Sequence, residues 1–148
     1  QAGEGKPTLW KVPITGGEPT RLTDGYTVFP SVSPDGKMVA CFYSPTTNAP
    51  GQPAIFSFAD GQLMKVFPNT VTGSPYIRWS PDGQHLVYAE NPIGAATLWK
   101  QPITGGERQA LLKLEADSLH GFDWSRDGKR LAYVRGLWTA NIVVIKAL

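Results

Sequence analysis

One five-residue pattern occurs three times in the chain, and it limits the fold more than any other feature. Val32-Ser33-Pro34-Asp35-Gly36, Trp79-Ser80-Pro81-Asp82-Gly83 and Trp124-Ser125-Arg126-Asp127-Gly128 are separated, Asp to Asp, by 47 and then 45 residues. A near-constant period of this size marks a repeat architecture. The pattern itself is turn chemistry. A short polar residue suits the first position, Pro presets φ at the second, Asp tolerates the third, and Gly supplies a positive φ at the fourth. Strand-forming runs flank it. Tyr76-Ile77-Arg78-Trp79 and Gly121-Phe122-Asp123-Trp124 lie before it, and Met38 to Tyr43, His85 to Ala89 and Arg130 to Val134 lie after it. Each copy therefore reads as a β-hairpin with its loop at Asp-Gly. Three recurring Asp residues could also suggest metal ligands, but an Asp-Gly hairpin loop accounts for them without a metal.

A second hairpin type alternates with the first. Leu9 to Ile14 reads as a strand, Thr15-Gly16-Gly17-Glu18 as a two-residue hairpin turn, and Pro19 to Thr23 as the short return strand. Leu98-Trp99-Lys100-Gln101-Pro102-Ile103-Thr104-Gly105-Gly106-Glu107 nearly copies that opening, 89 residues later. Ile55 to Gln62 takes the same place between them with an Asp60-Gly61 turn, and Ile142 to Lys146 is the matching strand near the end. Gln109 to Asp117 reads as a strand and loop rather than a helix.

The unit is thus a four-stranded meander, strands A to D, with the Ser-Pro-Asp-Gly turn between A and B. Residues 1–8 are expected to be a flexible lead-in and 9–23 to be strands C and D of an incomplete blade. Residues 28–67 and 76–114 are expected to be full blades, and 120–146 a last blade lacking its outer strand. Four-stranded units of this length repeated radially describe an all-β protein, a partial β-propeller of about three to three and a half blades. Two hairpin motifs alternating at one period argue against a continuous β-sandwich.

Composition agrees with a packed β domain: hydrophobic residues make up 41% of the 148, with 16 Gly and 13 Pro for turns. Net charge is +2 and no block of like charge occurs. The densest basic group (Arg126, Lys129, Arg130 and Arg135) reads as a solvated hairpin edge, so no nucleic-acid partner is expected. No apolar run reaches transmembrane length, so no membrane insertion is expected. Cys41, the one cysteine, sits in an apolar strand and reads as a small core hydrophobe. No cofactor, metal or catalytic residue is expected. The chain has no Gly-x-Ser-x-Gly elbow and no phosphate-binding loop, and its two histidines, His85 and His120, fall in different blades. His85, just after a turn, is expected at an exposed edge.

The three turn copies, with the apolar strand after each, resemble the TolB-like, WD-repeat-like propeller family from about Leu9 to Lys146. The last copy carries Arg126 where the family has Pro. The ending, from Phe122 to Ala132 with Arg135-Gly136 and Ile142 to Ile145, is similar to the closing blade of propellers that follow protein-kinase or winged-helix domains in bacterial proteins. The resemblance implies a non-catalytic module for protein–protein interaction or ligand sensing, within a larger protein, and leans to an extracytoplasmic location. A different class of function stays open: the propeller that gates the hydrolase domain of prolyl-oligopeptidase-like peptidases, or another propeller enzyme.

In a meander the A–B and C–D turns share one end, and the longer B–C and D–A connections share the other. Binding residues in repeat folds tend to lie on the end that carries the insertions. Tyr26, Tyr76 and His120, near the starts of A strands, are therefore candidate partner-binding residues. Trp79, Trp124, Trp10 and Trp99 hold repeated positions and read as inter-blade packing, whereas Trp138 stands outside the pattern as a candidate exposed anchor. About three and a quarter blades cannot close a ring, and open strand edges invite pairing. The expected partners are thus another protein, the remaining blades of a parent propeller, or a second copy.

Overall fold

The computed structural model describes residues 5–46, 49–72, 76–91 and 95–137. Those residues form twelve β-strands. The first two, β1 (Trp10–Lys11) and β2 (Thr20–Arg21), form a two-stranded sheet. Strands β3 (Tyr26–Val32), β4 (Met38–Ser44), β5 (Gln52–Ser57) and β6 (Leu63–Val66) form a four-stranded antiparallel meander. A second meander follows: β7 (Ile77–Trp79), β8 (His85–Glu90), β9 (Ala95–Pro102) and β10 (Gln109–Glu115). Last, β11 (Ser118–Trp124) pairs with β12 (Leu131–Gly136). The chain is a partial β-propeller. The expected strand at Ile142 to Lys146 lies outside the described residues.

The Ser-Pro-Asp-Gly turn is rebuilt almost identically in each copy. In the first, the Ser33 hydroxyl donates to Asp35 Oδ1 at 2.6 Å and accepts the Met38 N–H at 2.9 Å, while Asp35 Oδ1 also accepts the Lys37 N–H at 3.1 Å. Ser80 and Asp82 repeat this with Gln84 and His85, and Ser125 and Asp127 with Lys129 and Arg130. Gly36, Gly83 and Gly128 all have φ near +70° (72, 68 and 68). The carboxylates are thus occupied inside their own turns. Their pKa values lie below the ordinary Asp range, first because of the Ser hydroxyl and then the backbone N–H.

The B strands β4 and β8 are apolar on both faces because both are covered. Val39, Ala40, Cys41 and Phe42 in β4, and Leu86, Val87, Tyr88 and Ala89 in β8, are all buried. Burial pushes the Cys41 thiol up to about 12. One core cluster joins Phe42, Ile55 and Phe67 of the first meander to Ile77, Trp79, Leu86 and Tyr88 of the second. Another joins Val87, Ala89, Leu98 and Leu114 to Leu119 and Phe122. Burying such side chains contributes roughly 1.5–3 kcal/mol each, so adjacent blades stabilise one another.

Three expectations change. The Gly-Gly connections are not two-residue turns: β1 ends at Lys11 and β2 starts at Thr20, and β9 ends at Pro102 with β10 starting at Gln109. Pro13 and Pro19 have no N–H to give a ladder, and the chain instead turns early, with Gly16 N–H bonded to Pro13 O and Gly105 N–H to Pro102 O. The tryptophans do not share one environment either. Trp79 is buried, Trp99 and Trp124 are half-buried, and Trp10 is 54% exposed. Trp10 has no preceding blade or B strand over it among the described residues. His85, expected exposed, is half-buried, with Nδ1 3.9 Å from Asp82 Oδ1.

Candidate functional site: the aromatic mouth of the inner strands

The A strands β3 and β7 lie where the two full blades approach each other. In β3 the ladder to β4 runs Tyr26↔Ser44, Thr27↔Tyr43, Val28↔Phe42 and then jumps to Ser31↔Ala40. The jump is a β-bulge, and Phe29 sits in it at φ +57°. A left-handed backbone at a bulky residue costs roughly 1–2 kcal/mol. Pro30 explains the position, since a Pro without an N–H fits a strand only at an edge or a bulge.

The bulge has two consequences. It turns the Ser31 carbonyl toward the next blade, where it accepts the Trp79 indole N–H at 2.9 Å. It also projects the Phe29 ring outward, 44% exposed, against the Tyr76 ring at 6.2 Å and 51°. Tyr76 precedes β7, packs against the second core cluster and is half-buried. Tyr26, also half-buried, opens β3 three residues before Phe29. Phe29 on Tyr76 forms a partly exposed aromatic ledge where β3 and the start of β7 meet, with Tyr26 at the first position of the Phe29 strand.

Of the four residues singled out in the sequence, Tyr76 meets Phe29, and Tyr26 shares Phe29's strand. His120 belongs to the next sheet. It lies in β11 with Nε2 3.1 Å from Gly136 O on the paired strand. Trp138 lies outside the described residues. Phe29 was missed by the sequence reading. Its signal was the Phe29-Pro30 step inside an A strand, which interrupts the alternation of that strand and points to a bulge.

An open groove of about 390 Å³ lies elsewhere between the same blades, lined by Pro68, Asn69, Trp99, Gly106, Glu107 and Arg108. Two of its side chains, Trp99 and Arg108, are tied together through Glu90. The Arg108 guanidinium lies 3.9 Å over the Trp99 ring and pairs with Glu90 Oε2 at 3.2 Å, which also accepts the Trp99 indole N–H at 2.7 Å. Burial raises the neighbouring Tyr88 hydroxyl, with Arg108 opposing. No group of three or more His, Cys, Asp or Glu that could hold a metal occurs among the described residues.

No family model matches the chain. Solved structures do. TolB from Acinetobacter baumannii superposes with a TM-score of 0.69 at 21% identity, covering 86% of this chain and 32% of that one. A chain of a nidogen/laminin complex gives 0.68 at 18% identity, covering 87% and 49%. A TolB-assigned protein from Agrobacterium tumefaciens gives 0.60 at 22% identity, covering 86% and 50%. The chain spans a third to a half of the length of these structures. Its fold is that of a TolB-like β-propeller.

Proposed function

We propose that this chain is a non-catalytic propeller module that binds an extended segment of a protein partner across the aromatic mouth of Tyr26, Phe29 and Tyr76. The observation that carries the reading is Phe29. A strained, bulge-borne aromatic ring, 44% exposed and braced by a second ring, is a rigid apolar anchor, and such anchors dominate binding energy at protein interfaces. Strain of this kind clusters at binding sites. The nidogen/laminin chain, a protein in a complex with another protein, is a propeller of similar form and adds support by analogy of fold. The partner is reached within a larger assembly of blades.

The test uses a displayed library of unstructured peptides. Peptides selected on the intact chain are titrated against Phe29→Ala and Tyr76→Ala. Each variant is expected to lose at least about tenfold in affinity, as for a hot-spot truncation, while Met64→Ala, on the outer strand β6, is expected to leave it unchanged. Equal affinity for all variants would sink the assignment, as would a failure to select any peptide.

A further inference from the structure

We propose that the partner segment at the aromatic mouth is a proline-rich peptide in the polyproline II conformation. The inference rests on the mouth proposed above and adds the class of peptide that fits it.

An extended segment binds a β-sheet protein in one of two ways. It adds a strand to a free sheet edge, or it lays its side chains on aromatic rings without a backbone ladder. β3 and β7 are terminal strands of their sheets, so strand addition comes first to mind. The edge of β3 does not support it. The Thr27 N–H already donates to the Pro7 carbonyl at 2.9 Å, and the Ser31 carbonyl already accepts the Trp79 indole N–H at 2.9 Å. Between them Phe29 is left-handed at φ +57°, and Pro30 has no N–H to give. A ladder needs donors and acceptors in regular alternation along one edge, and these four positions interrupt it. β7 is three residues long, and its Ile77 carbonyl accepts Arg78 Nη1 at 2.9 Å. A strand added here would leave its own backbone groups unpaired.

Rings and hydroxyls are what the mouth still offers. Phe29 is 44% exposed, and its ring plane is inclined by 51° to that of Tyr76, so the two rings present a wedge and not a flat stack. The neighbouring Pro30 is exposed as well. The Tyr26 and Tyr76 hydroxyls hydrogen-bond to nothing among the described residues, and neither is buried. A polyproline II segment complements this set. It has no internal hydrogen bonds, so its carbonyls are free to accept from phenol hydroxyls. Its prolines carry no N–H in need of an acceptor, and their flat rings suit an aromatic wedge. The segment is extended before it binds, which lowers the ordering cost.

The test titrates the intact chain with an oligoproline peptide and, in parallel, with a peptide of alternating Thr and Gln, which is able to pair as a strand. Oligoproline is expected to bind at least about tenfold more tightly. Phe29→Ala is expected to weaken it at least about tenfold. Tyr76→Phe keeps the ring and loses only the hydroxyl, and is expected to weaken it about fivefold, the loss of one hydrogen bond. Equal or tighter binding of the Thr-Gln peptide overturns the inference, as does oligoproline binding that neither variant weakens. Library peptides that bind through Phe29 but carry no proline overturn it too, and leave the mouth standing. A chain that binds no peptide removes both.

Discussion

At the scale of single residues the repeated turn does most of the organising. Ser80 is buried and its hydroxyl serves both Asp82 Oδ1 and the His85 N–H. Ser80→Ala leaves that N–H without a partner and is expected to cost about 1–2 kcal/mol, read as a fall in the denaturation midpoint at constant m-value. The carboxylates add a pH signature. Asp35, Asp82 and Asp127 have folded pKa values below the ordinary one, so their contribution is complete above the unfolded value of about 3.9 and is lost as pH falls through the lower folded values. The melting temperature should hold steady from about pH 7 to 5 and drop below about 4. The variant carrying Asp35→Asn, Asp82→Asn and Asp127→Asn should start lower and fall less. A wild-type profile that rises on acidification would contradict the turn chemistry. All of this was readable from residue types, because Ser, Pro, Asp and Gly act locally. Phe29 was not, because its conformation depends on a ladder shift between β3 and β4 that only pairing decides.

Among the elements, the B strands and the Asp-Gly turns were legible, and the Gly-Gly loops were not. Val39 to Phe42 and Leu86 to Ala89 read as strands because a run apolar on both faces needs two covers. The Gly-Gly dipeptide suggested tight hairpins, but Pro13 and Pro19 withdrew backbone donors from the first loop, and both loops turn early on the carbonyls of Pro13 and Pro102. Gly61 shows how closely elements of neighbouring blades meet. It has φ +75°, and a Cβ there would fall 1.9 Å from the Leu22 carbonyl oxygen. Gly61→Ala thus combines strain with a backbone clash between blades and is expected to destabilise by more than about 3 kcal/mol. Gly16→Ala, at φ +90° in open space, should cost about 1–2 kcal/mol, the strain alone. Thermal melts of the two variants separate these effects; equal costs would mean that the β1–β2 sheet does not pack on the β3–β6 meander as described.

For the whole molecule, period and alternation revealed the propeller, but they did not reveal how unequal its blades are. Trp10 and Trp99 occupy the same repeat position, yet one is 54% exposed and the other stacks on Arg108. A sequence position carries packing only when its neighbours are present. The central claim is therefore that β3–β10 form two complete, mutually stabilised blades, flanked among the described residues by the two-stranded sheets β1–β2 and β11–β12. Amide hydrogen exchange, read strand by strand, tests this most directly. The account predicts the slowest exchange in β4, β5, β8 and β9 and exchange faster by orders of magnitude in β1, β2 and β12, since open edges and uncovered faces unfold locally. Protection of β12 and β1 equal to that of β8 would contradict it.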